Sequence, residues 1–236
     1  MFIEIFHALV FWLPAFFFST TVHEAAHAWA ALRGGDPTAW NGGLVSLSPL
    51  PHMRRSPLGM VIVPLVTTLT QGLTMGWASA PYDRDWAERH PRRAALMAAA
   101  GPAGNLAIAL VAFAILRAGL VLGAFAPPAQ ATLDRLVDAA AGSPAYGVAA
   151  FAAHGLSVLL MLNVILAVFN LLPLPPLDGA RVITLGLPPA IARSVDRVHR
   201  APGLSFVGLF AAWQLFPMLT RPLFDLVLAV LHPGGY

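Results

Sequence analysis

FIEIFHALVFWLPAFFFSTTVHEAAHAWAALR, residues 2–33, decides what kind of molecule this is. Over residues 2–32 the ionisable side chains are Glu4, His7, His23, Glu24 and His27, and Arg33-Gly34-Gly35-Asp36-Pro37 follows. At about 1.5 Å per residue the run reaches roughly 46 Å, longer than the ~30 Å hydrocarbon core of a bilayer, so one tilted helix bent at Pro14 suffices to cross. A cleavable signal peptide fits poorly, because no basic residue precedes the apolar run and the polar cluster lies inside it.

Composition extends this reading to the whole chain. Of 236 residues, 58% are hydrophobic and 11% charged, against about 45–50% and about 25% in soluble domains, and the mean hydropathy is +0.71. An integral membrane protein is expected. With no cysteine, a disulfide framework, a thiol nucleophile, an iron–sulfur cluster and thiolate zinc are excluded, so any metal must sit on His, Asp or Glu. The net charge of +3 comes from 14 arginines and no lysine; in a membrane chain such charges chiefly set topology, and we do not read them as nucleic-acid binding.

Further along, residues 38–55 are too short and too rich in Gly and Pro to span, and 44–50 alternates apolar residues with serines as a short strand would. Residues 57–80 form the weakest spanning candidate. Residues 94–126 and 147–172 read as confident spanning helices, the first containing GPAGN at 101–105 and the second running into NLLPLPPLDG at 170–179. A Pro/Ala/Asp loop at 127–146 separates them. A polar segment at 180–202 leads to a last apolar stretch at 203–231, which Pro217, Arg221 and Pro222 are expected to split. The expected fold class is an all-α polytopic membrane protein of about four to six membrane segments, with a re-entrant segment and a short β-hairpin or strand edge near the site. We expect one membrane-embedded domain over 1–236, its core at about 15–185 and its C-terminal membrane segments at 203–232.

The chemistry is concentrated in His23-Glu24-Ala25-Ala26-His27, an HExxH pattern. On a helix His23 and His27 share a face one turn apart, so both imidazoles can bind one zinc ion while Glu24 reaches a water beside it. Polar helix residues satisfied within a bundle are the plain alternative, but three ionisable groups in five positions of an apolar helix are costly without a role. Two histidines leave a tetrahedral zinc one protein ligand short of an open catalytic site. Asp36, Asp83, Asp85, Glu88, Asp134, Asp138, Asp196 and Asp225 lie in polar loops or near helix ends. Asp178 follows a helix broken by Pro173, Pro175 and Pro176, and non-helical backbone at membrane depth is tolerated where it lines a cavity. Asp178 as the cap of the next helix is the other reading of that segment.

HEAAH on a membrane helix together with NLLPLPPLDG resembles the site-2 protease family of intramembrane zinc metalloproteases. SLSPLPHM at 46–53, MGWASAPYD at 75–83 and AGPAGN at 100–105 extend the resemblance over roughly residues 15–185. The compact bacterial branch without PDZ or CBS domains is the nearest in pattern. The resemblance implies one zinc ion on His23, His27 and Asp178, Glu24 as general base, Asn170 holding an extended substrate strand and Asn105 lining the site. His52 has two readings, a substrate-side or oxyanion group and a loop histidine at the membrane surface. SLSP stands where a sequence closer to TLNP is expected, and 203–232 carries no matching motif. The implied activity is hydrolysis of a peptide bond in or near a transmembrane segment of another membrane protein, as in regulated intramembrane proteolysis. A silent scaffold of the same fold and a small proton or metal transporter are the competing readings.

If the first helix exits at Arg33, His27 and His23 lie about 9 and 15 Å inside that face, and the metal is shallow. A substrate helix must unwind before it can be cut, and pairing with a strand edge at 44–50 would replace its lost hydrogen bonds. Parity constrains 57–80: a full span there leaves Asp178 on the wrong face, whereas a dip and return brings it back to the histidines. Of the 14 arginines, 11 (Arg33, Arg54, Arg55, Arg84, Arg89, Arg92, Arg93, Arg181, Arg193, Arg197 and Arg200) then share the face on which the first helix ends. This bias predicts a bacterial cytoplasmic membrane protein with its N-terminus outside and its site towards the cytoplasm.

Overall fold

The computed structural model describes residues 2–72, 74–142, 145–199, 201 and 203–234. Among them are four helices long and apolar enough to cross a bilayer: α1 (Phe2–Arg33), then, after the short elements of the first loop, α5 (Pro91–Val121), α6 (Tyr146–Asn170) and α9 (Leu204–Leu231). Between α1 and α5 lie α2 (Pro49–Arg55), α3 (Leu58–Gln71) and α4 (Arg84–Arg89). Between α6 and α9 lie the single turn α7 (Gly179–Val182) and the amphipathic α8 (Pro189–His199). The polytopic all-α class is as expected.

Helix α1 is continuous through Pro14 because a π-helical turn, Ala8–Trp12, stands immediately before it. Proline lacks an N–H and its ring collides with the carbonyl four residues back, and a wider turn relieves both problems. The same device recurs at Leu58–Ile62, ahead of Pro64 in α3.

Helix α3 is too short to cross. Its 14 residues rise about 21 Å against a ~30 Å core. It ends at Gly72, whose φ of 65° only glycine adopts without strain. The chain then returns extended along the same helix: Met75 N–H donates to Thr67 Oγ1 (3.1 Å), Thr68 and Thr74 share a hydroxyl hydrogen bond (2.8 Å), and Trp77 N–H reaches Gly59 O (3.0 Å). The threonines that weaken 57–80 as a span thus close a hairpin. Its return is anchored beside the end of α1, where Asp36 accepts from Asp83 N–H (2.8 Å) and Trp86 Nε1–H donates to Gly34 O (3.0 Å). In a chain without native cysteine, cysteines at the exposed positions 54 and 84 should therefore react with an impermeant reagent from one and the same side. Labelling from opposite sides would contradict the hairpin.

The remaining helices alternate in direction. Helices α1, α5 and α6 pack through small residues, Ala28 and Ala31 on α1, Ala109 and Ala112 on α5, Ala153 and Ala167 on α6, all buried, which is how membrane helices approach closely. At one end of α9, Gly208 lies against the Pro175 carbonyl; at the other, His232 Nε2–H donates to Leu136 O (3.0 Å). Phe206, Phe210 and Trp213 along it are exposed, as lipid-facing side chains are.

Two expectations are corrected. Residues 44–50 form no strand: 44–48 are irregular with a bend at 45–47, Ser46 Oγ accepts from Ser48 N–H (3.1 Å), and Pro49 opens α2, because its fixed φ suits a first helical position. The antiparallel pair that does form, β1 (Phe125–Ala126) with β2 (Asp138–Ala139), lies beyond the C-terminus of α5, about 30 Å along that helix from Gly101. The edge-pairing idea for 44–50 falls with the strand. Nor is 203–231 split. Helix α9 runs through Pro217 and Pro222 unbroken, as prolines are tolerated inside membrane helices.

Candidate metal centre

His23 and His27 lie one turn apart on α1, both buried, with their Nε2 atoms 2.9 Å from each other. Asp178 is brought to them by the break after α6. Its Oδ2 lies 3.2 Å from His23 Nε2 and 3.3 Å from His27 Nε2. Although Asp178 stands at the N-cap of α7, its side chain makes no capping bond, so the capping reading of this residue fails and its carboxylate is committed to the histidine pair.

The outer nitrogens decide what can sit between these three atoms. His27 Nδ1–H donates to Met97 O (2.7 Å), and a carbonyl can only accept. His23 Nδ1–H donates to Asn105 Oδ1 (2.6 Å). Each imidazole therefore presents a bare lone pair at Nε2. Two lone pairs and a carboxylate oxygen face one another at distances that repel unless a cation lies between, and tetrahedral ligands about 2.0–2.1 Å from zinc stand about 3.3 Å apart. The donor set fits one metal ion. Glu24, next to His23, is buried with Oε2 free of any hydrogen-bond partner, an arrangement too costly for a carboxylate without a task nearby.

Behind His23 runs a buried polar chain that sequence reading did not find. Asn105 Nδ2 donates to Asn163 Oδ1 (2.8 Å) and to Ser19 O (3.3 Å), which fixes its amide with Oδ1 towards His23. Asn163 Nδ2 in turn donates to Ser19 Oγ (2.8 Å) and Leu159 O (2.8 Å). Asn105 therefore belongs behind a histidine, holding its tautomer. Asn163, a single polar residue in the most apolar stretch of α6, was the available signal. Because partners of this kind set ligand orientation, Asn105→Leu should weaken zinc binding by about 10–100-fold, which a competitive zinc titration measures; unchanged affinity would remove the orienting role.

The other predicted residues sit apart. Asn170, in the last turn of α6, donates to Leu166 O (2.9 Å) of its own helix. His52 is buried, and its Nε2–H holds Ser46 O (2.9 Å) across the first loop. Three residues past Asp178, Arg181 binds Asp196 Oδ1 (2.7 Å) and Tyr82 OH (3.0 Å), fastening α7 to α8 and to the returning hairpin. Burial opposes the charge on Arg181, but Tyr82 and Asp196 more than offset this and hold its pKa above the ordinary guanidinium value.

Fold and site together define a polytopic helical membrane protein with a candidate metal centre towards one end of its long helices. The chain belongs to peptidase family M50, the site-2 protease family of metallopeptidases, whose sequence profile matches residues 11–212. It is 31% identical over 206 residues to the Bacillus subtilis (strain 168) protein named "Putative zinc metalloprotease YwhC", covering 85% of this chain and 82% of that one. It is 27% identical over 209 residues to "Putative zinc metalloprotease Rip2" of Mycolicibacterium smegmatis (strain ATCC 700084 / mc(2)155), covering 89% of this chain and 68% of the other. No solved structure matches.

Proposed function

We propose that the protein holds one zinc ion on His23, His27 and Asp178 and hydrolyses a peptide bond in or beside a transmembrane segment of another membrane protein. The convergence of two unprotonated Nε2 atoms and the Asp178 carboxylate within 3.3 Å, from helices far apart in sequence, carries this reading. When bound, zinc polarises the scissile carbonyl and makes water acidic enough to attack near neutral pH. The rest is the work of side chains. Met97 O and Asn105 hold both imidazoles in the ligating tautomer. Glu24 takes the proton from the attacking water as the C–O bond forms, then gives it to the amide nitrogen as the C–N bond breaks.

The substrate must present an unwound stretch, since a helical peptide hides its carbonyls in internal hydrogen bonds. Asn170, at the inner end of α6, is the proposed polar contact for it; His52 is engaged with the loop, and we assign it no substrate role. We read the whole chain as one catalytic unit in a bacterial cytoplasmic membrane, with its metal end towards the cytoplasm. In support, ten arginines (Arg33, Arg54, Arg55, Arg84, Arg89, Arg92, Arg93, Arg181, Arg193 and Arg197) fall in segments at the metal end, while Arg117 lies at the other end, donating to Leu231 O (3.4 Å). Arg200 lies outside the described residues.

The test is cleavage of a model transmembrane substrate by the reconstituted protein. Cleavage should stop when a chelator strips the metal and return when zinc is added back. Full activity after metal removal would overturn the reading.

A further inference from the structure

A second group of metal-ligating side chains stands at the opposite end of the helices from the centre just described. His7 on α1, Asp134 in the segment between β1 and β2, and His154 on α6 each bring one ligand atom within 4.8 Å of the others. His7 lies on the same continuous helix as His23, about 24 Å away along its axis, so the two clusters do not share a residue or a face of the membrane.

His154 Nε2 is the group in this cluster that asks for a ligand. It is buried and has no hydrogen-bond partner, and the nearest carboxylate oxygen, Asp134 Oδ2, lies 3.6 Å away, beyond hydrogen-bond reach. That separation is what two ligands on one ion show when their bonds are about 2.1 Å and open to roughly 120°. The surroundings hold the donors in place. The His154 ring packs against Phe11 (4.3 Å between centroids) and edge-on to His7 (5.3 Å). The other oxygen of Asp134 accepts from Thr132 Oγ1 (2.6 Å). The adjacent cation, Arg135, is turned away into a bidentate pair with Asp138 (2.6 and 2.7 Å), so its charge is largely met.

We propose that His7, Asp134 and His154 form a second metal site, taking a zinc-like divalent ion on two imidazole nitrogens and one carboxylate oxygen. Two imidazoles favour zinc and its late first-row neighbours over calcium or magnesium, which take oxygen ligands. His7 is exposed and the other two are half-buried, so a water completes the coordination from the membrane surface. The ion clamps three elements that are otherwise distant in sequence: the first turns of α1, the segment between the strands, and α6. Because α1 carries His23 and His27 further along, the clamp fixes how the catalytic helix leans against α6.

The site is tested by zinc stoichiometry of the full chain in nanodiscs, stripped with chelator and reloaded at buffered free zinc. Wild type should hold two zinc ions per chain. His7→Ala, at an exposed position, and Asp134→Asn should each hold one and keep the zinc of the His23 centre. Asp178→Asn should also hold one, and Asp178→Asn combined with His7→Ala none. Wild type saturating at one ion that Asp178→Asn removes, or two ions persisting in both His7→Ala and Asp134→Asn, would overturn the second site. One ion lost in His7→Ala but retained in Asp178→Asn would uphold it and instead overturn the ligand set proposed for catalysis.

Discussion

Glu24→Gln is expected to keep its zinc and to lose cleavage by about 10²–10⁴-fold, the usual contribution of a positioned general base. The amide has the size and placement of the carboxylate but cannot take a proton. Its burial is also easier, because the buried Oε2 of Glu24 has no hydrogen-bond partner and an uncharged group in its place costs less. The variant should therefore fold at least as well as wild type, and a stability defect cannot account for its inactivity. Elemental zinc analysis and turnover of a transmembrane substrate on the same preparation check this. Wild-type turnover by the variant would remove Glu24 from the reaction.

Gly101→Ala is expected to disable the centre while favouring the helix that carries it. In an α-helix alanine is better than glycine by about 1 kcal/mol, so intrinsic propensity argues for the substitution. Packing argues against it. A Cβ at position 101 would overlap His27 Nε2 and lie 2.6 Å from His23 Nε2, so both ligands must move. A displacement near 1 Å at reacting groups costs about 100-fold in rate, and zinc affinity should fall with it. Gly104→Ala is the control, since its Cβ would meet Ala26 Cβ at 3.4 Å, an ordinary contact. Equal zinc binding by both alanine variants would show that position 101 does not press on the ligands.

These two residues mark the division between what was legible in the chain and what was not. HEAAH put two candidate metal donors on one helix face, with Glu24 one residue round, because helical periodicity is local. Asp178 was legible because the three prolines just before it break a helix at membrane depth. The hairpin at 57–80 followed from parity and from the threonines now seen bonding across it. The small antiparallel pair lay elsewhere, since an alternating pattern at 44–50 does not outweigh a proline that suits a helix start. The unbroken α9 was misread because proline's effect depends on what surrounds the freed carbonyl.

By itself the sequence determined the membrane class, the family, and which side chains are able to bind a metal. Composition and periodicity encode these along a single strand of chain. The tertiary structure alone decided that Asn163 and Ser19 brace Asn105 behind His23, that α5 leaves no room for a side chain at Gly101 beside the histidines, and that His7, Asp134 and His154 meet. Such meetings depend on where helices cross and how each is rotated about its axis. One π-helical turn, as at Ala8–Trp12, shifts every side chain before it by about 100° relative to those after it, and no local pattern reports that rotation.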